Sequence, residues 1–165
     1  MKKDMLKYGM IAGAGTLCWF LLFYALGREL MLSPWVYYAS FVFYLWAMYS
    51  AMRSSLRGGV QAFKEVLRAG FAVYLLANLV YYLFYYFINH WDPALAEAQK
   101  EMMREWLPRI TPKDKLRQAL KALEESDFVV HPRDAFFSYM RSAIGGFVLA
   151  VGLAWLVIRT HKETI

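Results

Sequence analysis

The residues best equipped for chemistry are few and scattered. Residues 53–70, RSSLRGGVQAFKEVLRAG, set five cationic or amide side chains and three glycines between two apolar stretches. A glycine loop that cradles phosphate needs G-x-x-x-x-G-K-[ST] after a strand. Gly58-Gly59 has neither that spacing nor the lysine that follows it, so a nucleotide loop is excluded. His90, His131 and His161 stand far apart, and metal binding needs several ligands converging. Cys18 is the sole cysteine and lies in an apolar run, which excludes an internal disulfide or a multi-cysteine cluster. Serine, histidine and aspartate are present without a nucleophile elbow. Glu124, Glu125, Asp127 and Asp134 read as a solvated charge run. A membrane enzyme would need Arg141, His131 and Asp134 to meet Asp92 at a membrane boundary. The expectation is no catalytic residue, no cofactor and no metal: the chain is not an enzyme.

The surrounding composition explains where such residues can sit. Hydrophobic residues make up 59% of 165, and aromatics 18%. Soluble domains hold about 45–50% apolar residues, and one core of this size cannot hide the excess. Lipid is the natural sink. The net charge of +6 comes from Lys and Arg scattered between apolar blocks, with no continuous basic surface for nucleic acid.

A spanning helix needs about 20 mostly apolar residues, and backbone groups in hydrocarbon must pair within the helix. Four stretches qualify: 8–27, 34–52, 69–88 and 142–158, the last with a start that can extend upstream toward Phe136. Ala25 and Gly27 offer a signal-peptidase spacing, but the first apolar run exceeds the 7–15 residues of a signal core, so it reads as an uncleaved anchor. Lys2, Lys3, Lys7, Arg53, Arg57, Lys64, Arg68, Arg159 and Lys162 flank one side of these spans. Arg28 and the segment 89–141 lie on the other, most of whose charges are far from either boundary. Both termini are therefore expected in the cytoplasm.

On a helix, residues 57–68 sort into a polar side with Arg57, Gln61, Lys64, Glu65 and Arg68 and an apolar side with Val60, Phe63, Val66 and Leu67. This predicts a cytoplasmic interfacial amphipathic helix, with Arg57, Lys64 and Arg68 as lipid-headgroup contacts. A solvated loop without a lipid role fits the same residues equally well. The start LKYGMIAG, with Lys7, Tyr8, Gly9, Ile11 and Gly13, and GGVQAFKEVLRAG, with Gly58, Gly59, Phe63 and Gly70, precede a polar helical insertion and a last span with a basic end. In that order they resemble, over essentially the whole chain, the bacterial membrane proteins grouped as domain of unknown function 4199. The resemblance implies a multi-pass inner-membrane protein and no activity.

The insertion, about 92–134, is expected to be external and to hold two helices. DPALAEAQKEMMREWL has Asp92 placed to cap and Pro93 at the first helical position. TPKDKLRQALKALEES repeats the signal with Thr111, Pro112 and Asp114. Leu95, Ala98, Met102 and Trp106 share one face of the first; Leu116, Ala119, Leu120 and Leu123 share one face of the second. Pro108 and Pro112 are read as the break between them. Gly9 and Gly13 in span one, and Gly146, Ala150 and Ala154 in span four, have the spacing that lets helices approach closely. They predict packing of spans one and four together, with a homodimer as the alternative. YYLFYYF at 81–87 reads as an aromatic belt at the external boundary, a stacking surface for a ring ligand being the alternative. Asn78, near mid-span, is expected to bond a neighbouring helix, and Arg141, near a span end, to reach the boundary.

The expected architecture is thus all-α: a single integral membrane domain over 1–165 with four transmembrane helices, the interfacial helix and the insertion. The leading functional expectation is a non-enzymatic accessory or scaffold subunit of a bacterial inner-membrane assembly. The alternative is a lipid or small-molecule binder or passive channel. Its partners would be membrane lipids and a second copy or another membrane protein meeting the 92–126 helices, with no nucleic acid.

Overall fold

A computed structural model describes residues 2–60, 62–126 and 128–162; Gln61 and Asp127, named above, lie outside them. Among the described residues the chain forms seven helices: α1 (Lys2–Leu26), α2 (Arg28–Leu32), α3 (Pro34–Arg57), α4 (Phe63–Trp91), α5 (Ala94–Ile110), α6 (Lys113–Glu125) and α7 (Pro132–Lys162). Three are long and apolar enough to cross a membrane, over Lys3–Leu26, Phe63–Trp91 and Pro132–His161. The stretch expected as the second span lies in α3. It has the length, at 24 residues, but its four tyrosines, four serines and two arginines lower its mean hydropathy.

α4 is the axis of the bundle. Residue pairs that rise together, Gly9 with Leu76, Gly13 with Val80 and Tyr24 with Asp92, set α1 parallel to it. Tyr44 with Tyr74 and Tyr37 with Tyr81 set α3 antiparallel. Gly146 with Tyr74 and Tyr139 with Tyr82 do the same for α7.

Small residues recur in the interior beside Met48, Met52 and Tyr74, while many large apolar residues are exposed. Ala47, Ala69, Ala77, Ala150 and Ala154 are wholly buried, whereas Leu22 is 56%, Trp35 73% and Ile144 71% exposed. A water-soluble helix buries its large apolar stripe. Helices in lipid instead gain from close backbone approach, because lipid tails solvate leucine as well as a core would. The small residues at 9, 13 and 146 follow this logic with a different partner from the one expected. Gly9 and Gly13 receive Leu76 and Val80, and Gly146 receives the Tyr74 ring, all on α4. α1 and α7 are each fitted to α4 and not to one another.

The predicted interfacial helix over 57–68 does not form as a separate element. α3 continues to Arg57, and Gly59 then takes φ 83°. Its N–H donates to the Leu56 carbonyl at 3.0 Å, and the Val60 N–H donates to the Ser55 carbonyl at 3.2 Å. This is a Schellman stop, so the glycine pair serves to end α3. α4 begins at Phe63, since nothing between there and Ala69 interrupts a helix. Arg57, Lys64 and Arg68 are exposed on the ends of two long helices.

At the opposite end Asp92 joins four helices. Its Oδ2 accepts from the Tyr24 hydroxyl at 2.8 Å and from Arg28 Nε, and its Oδ1 accepts from the Ala94 N–H at 3.2 Å. The capping role expected of Asp92 is present. α6 starts at Lys113 without a side-chain cap, so the bond expected there is absent. Pro108 lies inside α5 rather than ending it, because a proline this close to the C-terminus forfeits one bond and helix termination follows at Thr111. Leu95 and Leu107 are buried, Ala98 and Met102 half-buried and Trp106 exposed. Leu123 is buried and Leu116, Ala119 and Leu120 half-buried where α6 pairs with α5.

Candidate functional site

A cleft opens between α3, α4 and α7, and tyrosine dominates its walls. Successive i, i+7 positions bring Tyr37 and Tyr44 to one face of α3 and Tyr74 and Tyr81 to the facing side of α4. Ser138, Arg141, Ser142, Gly145 and Leu149 form one stripe of α7, at the spacings that share a helix face. The lower chamber, about 440 Å³, is bounded by that stripe with Tyr37, Phe41, Tyr74 and Tyr82. An upper chamber of about 450 Å³ lies toward α5, where Tyr81, Tyr85, Gln99, Met102 and Phe128 contribute. Tyr37 belongs to both walls, and also to a cavity of about 10 Å³ beside Asn78.

Polar contacts hold this arrangement. The Tyr74 hydroxyl donates to Ser142 Oγ at 2.7 Å, which donates to Asn78 Oδ1 at 3.4 Å. Asn78 therefore bonds a neighbouring helix, and its buried Nδ2 has no protein partner. At the upper end Gln99 Nε2 donates to Tyr85 Oη and to Asn89 Oδ1, both at 3.1 Å, which fastens α5 over the chamber.

The structure corrects two expectations here. Tyr81, Tyr82 and Tyr85 turn inward onto Tyr37, Phe20 and one another, so the 81–87 run is a cavity wall on one face, with Leu83 and Phe87 exposed on the other. An i, i+4 repeat of tyrosine follows one helix face, and that periodicity was the available signal. Arg141 also lies deeper than its place in the sequence implies. Its neighbour Ser142 meets Asn78, and Asn78 stands near the middle of the 29-residue α4.

Of the residues that a membrane enzyme would have needed together, Arg141 and Asp92 lie at different levels of the bundle. Asp92 is held by Tyr24 and Arg28, fourteen positions along α4 from Asn78, which is about 20 Å at 1.5 Å per residue. Arg141 lines the cleft instead. Among the described residues no three His, Cys, Asp or Glu side chains converge as a metal site would require. Cys18 is exposed on α1. The Arg28 guanidinium, with help from the Tyr24 hydroxyl and the Ala94 amide, holds the Asp92 carboxyl below the usual carboxylate range against the opposing effect of desolvation.

One parallel and two antiparallel helices around an axial α4, a glycine stop at 58–59 and a helical pair before the last long helix now stand beside a direct comparison. A family model described as a protein of unknown function, DUF4199, matches residues 7–159. The chain belongs to the DUF4199 family. No curated protein and no solved structure matches it. The match takes in α3, the cleft stripe of α7 and the α5–α6 pair, so these are parts of the DUF4199 region and not additions at its edge.

Proposed function

We propose that this DUF4199 chain is a non-enzymatic, four-span protein of the bacterial inner membrane that holds a lipid-type amphiphile in its tyrosine-lined cleft. α3 is the fourth span on topological grounds. α1 and α4 are parallel and both long and apolar enough to cross, so the chain between them must return across the bilayer, and α3 runs antiparallel to both. Its tyrosines and serines are tolerable there because Ser40, Tyr44 and Ser55 are buried among helices and Tyr37 faces the cleft. Lys3, Lys7, Arg53, Arg57, Lys64, Arg68 and Arg159, all exposed, gather at the end of the bundle that holds the N-terminus of α1 and the C-terminus of α7. That supports cytoplasmic termini.

The observation that carries the binding function is the cleft itself: aromatic faces for an apolar body, with hydroxyls, Asn78 and Arg141 for a polar part. Pockets that bind small molecules have this mixture. Gly145 supplies the test. A Cβ there meets nothing within 4 Å, so Gly145→Leu fills the lower chamber without disturbing the bundle. Lipid retained through purification in a neutral detergent, read by native mass spectrometry, should fall severalfold in Gly145→Leu. It should be unchanged in Gly152→Leu, which also has open space but lies outside the cleft. Equal retention in wild type and Gly145→Leu would sink the reading.

A membrane-protein partner, with this chain as an accessory subunit, is the second reading. Met103, Trp106 and Ile110 on the otherwise charged α5 are exposed and support it. Trp106→Ser should then lower recovery of a co-purifying protein from native membranes.

A further inference from the structure

We propose that the lower chamber of the cleft is the headgroup site of an anionic lipid, with Arg141 as the group that engages its phosphate. This rests on the cleft holding a lipid-type amphiphile and names the chemistry that selects it. Arg141 sits deep by the bundle's own measure. Ser142 is hydrogen-bonded at the level of Asn78, ten positions beyond Arg68 on α4, or about 15 Å. That is half of a hydrocarbon layer about 30 Å thick. An arginine is a permanent cation, and an ionisable side chain at such depth faces a cavity or a partner.

Arg141 is exposed and lines the lower chamber, and among the described residues no acid pairs with it. α3 carries no Asp or Glu, and the acids of α4 and α7 among the described residues are Glu65 and Asp134, near the helix starts. No ion pair forms at Arg141 among the described residues. Around it stand Ser138 and Tyr82, whose hydroxyls can donate to phosphate oxygens, beside Tyr74 and Ser142, whose hydroxyl protons lie in the chain that ends on Asn78, while Phe41, Tyr37 and Leu149 bound the same chamber. One cation, hydroxyl donors and an apolar wall match a phosphate joined to an acyl chain. A guanidinium meets phosphate with two parallel N–H donors, and the charge that would otherwise stay unpaired in low dielectric becomes neutralised.

The test uses the full chain in a neutral detergent with an equal mixture of dioleoyl phosphatidylglycerol and dioleoyl phosphatidylcholine, the retained lipid being read by native mass spectrometry. Wild type should retain phosphatidylglycerol over phosphatidylcholine severalfold, because both carry the phosphate but only the first, lacking the choline cation, brings the net negative charge that neutralises a buried guanidinium. Arg141→Gln should bring the ratio close to one. Arg141→Lys, which keeps the charge and loses the paired geometry, should give a ratio between these two. The triple variant Arg57→Gln, Lys64→Gln, Arg68→Gln should leave it unchanged. A wild-type ratio near one overturns the headgroup assignment and leaves the cleft as a lipid site; retention of neither lipid removes both. A ratio unaltered by Arg141→Gln but abolished in the triple variant moves the preference to the exposed basic end and overturns the assignment. Displacement of phosphatidylglycerol by millimolar inorganic phosphate, with equal stabilisation by phosphate alone, would make this a free-anion site and also overturn it. Should Arg141→Gln fail to give a monodisperse species, Arg141→Lys decides: an unchanged ratio there overturns the proposal.

Discussion

Asp92 shows how one side chain can organise a helical membrane protein where its helices leave the bundle. It receives Tyr24 from α1, Arg28 from α2 and the first amide of α5, directly after α4 ends. Because its carboxyl titrates below the usual range in the folded protein, the unfolded chain binds the proton more readily. Ionisation therefore favours folding. The contribution is complete above the ordinary carboxylate pKa of about 3.9 and disappears as pH falls through the lower folded value. Asp92→Asn should lower the thermal midpoint in detergent at pH 7, and the gap between variant and wild type should narrow as the medium is acidified below about pH 4. A gap independent of pH would show that the joint rests on shape and not on charge. Arg141 differs in kind, because no carboxylate among the described residues answers it. That difference is what separates a structural arginine such as Arg28 from one available to a ligand.

Among the elements, helix interiors were legible in the sequence and helix ends less so. The apolar runs identified α1, α4 and α7 because length and hydropathy suffice for a span. They understated each helix, since residues such as Lys3, Phe63 and Pro132 continue a helix beyond the hydrocarbon where hydropathy carries no signal. The glycine pair at 58–59 falls inside the stretch expected to form an amphipathic helix over 57–68. Its left-handed Gly59 is a stop, a distinction that depends on hydrogen bonds five residues apart. The small-residue spacing likewise marked close packing, but spacing does not name the partner, and α4 took both glycine faces. Two substitutions separate these roles. Gly59→Ala, forced into φ 83°, should cost about 1–2 kcal/mol. Gly146→Leu, which drives a side chain into the Tyr74 ring, should cost about 1–3 kcal/mol. The Gly145→Leu change one residue away meets open space and should leave the unfolding midpoint in mild detergent within error of wild type. Equal losses at 145 and 146 would contradict the assignment of which α7 face meets α4.

Across the whole molecule, the proposed topology rests on the direction of α1 and α4. Two parallel helices that both cross a bilayer must be joined by a third crossing, whatever the hydropathy of the connecting chain. α3 alone among the elements between them has the length, and it lies antiparallel along α4 from the Tyr37–Tyr81 contact to Met52 beside Gly70. Part of its polarity is absorbed inside the bundle, where Tyr44 is buried, Tyr37 lines the cleft, and Ser40 and Ser55 donate to backbone carbonyls. The consequence can be tested with the protein's own simplicity in thiols. After Cys18→Ser, single cysteines placed at Arg57 and at Gln118 should react with a membrane-impermeant maleimide from opposite sides of an oriented vesicle. A cysteine at Lys3 should report with Arg57. If Lys3 and Arg57 reacted from opposite sides, α3 would not cross, and α1 and α4 could not both span the bilayer as parallel helices. The cleft between α3, α4 and α7 would then open to water along its length, Arg141 would need no counter-ion, and the reason for a lipid to occupy the site would go with it.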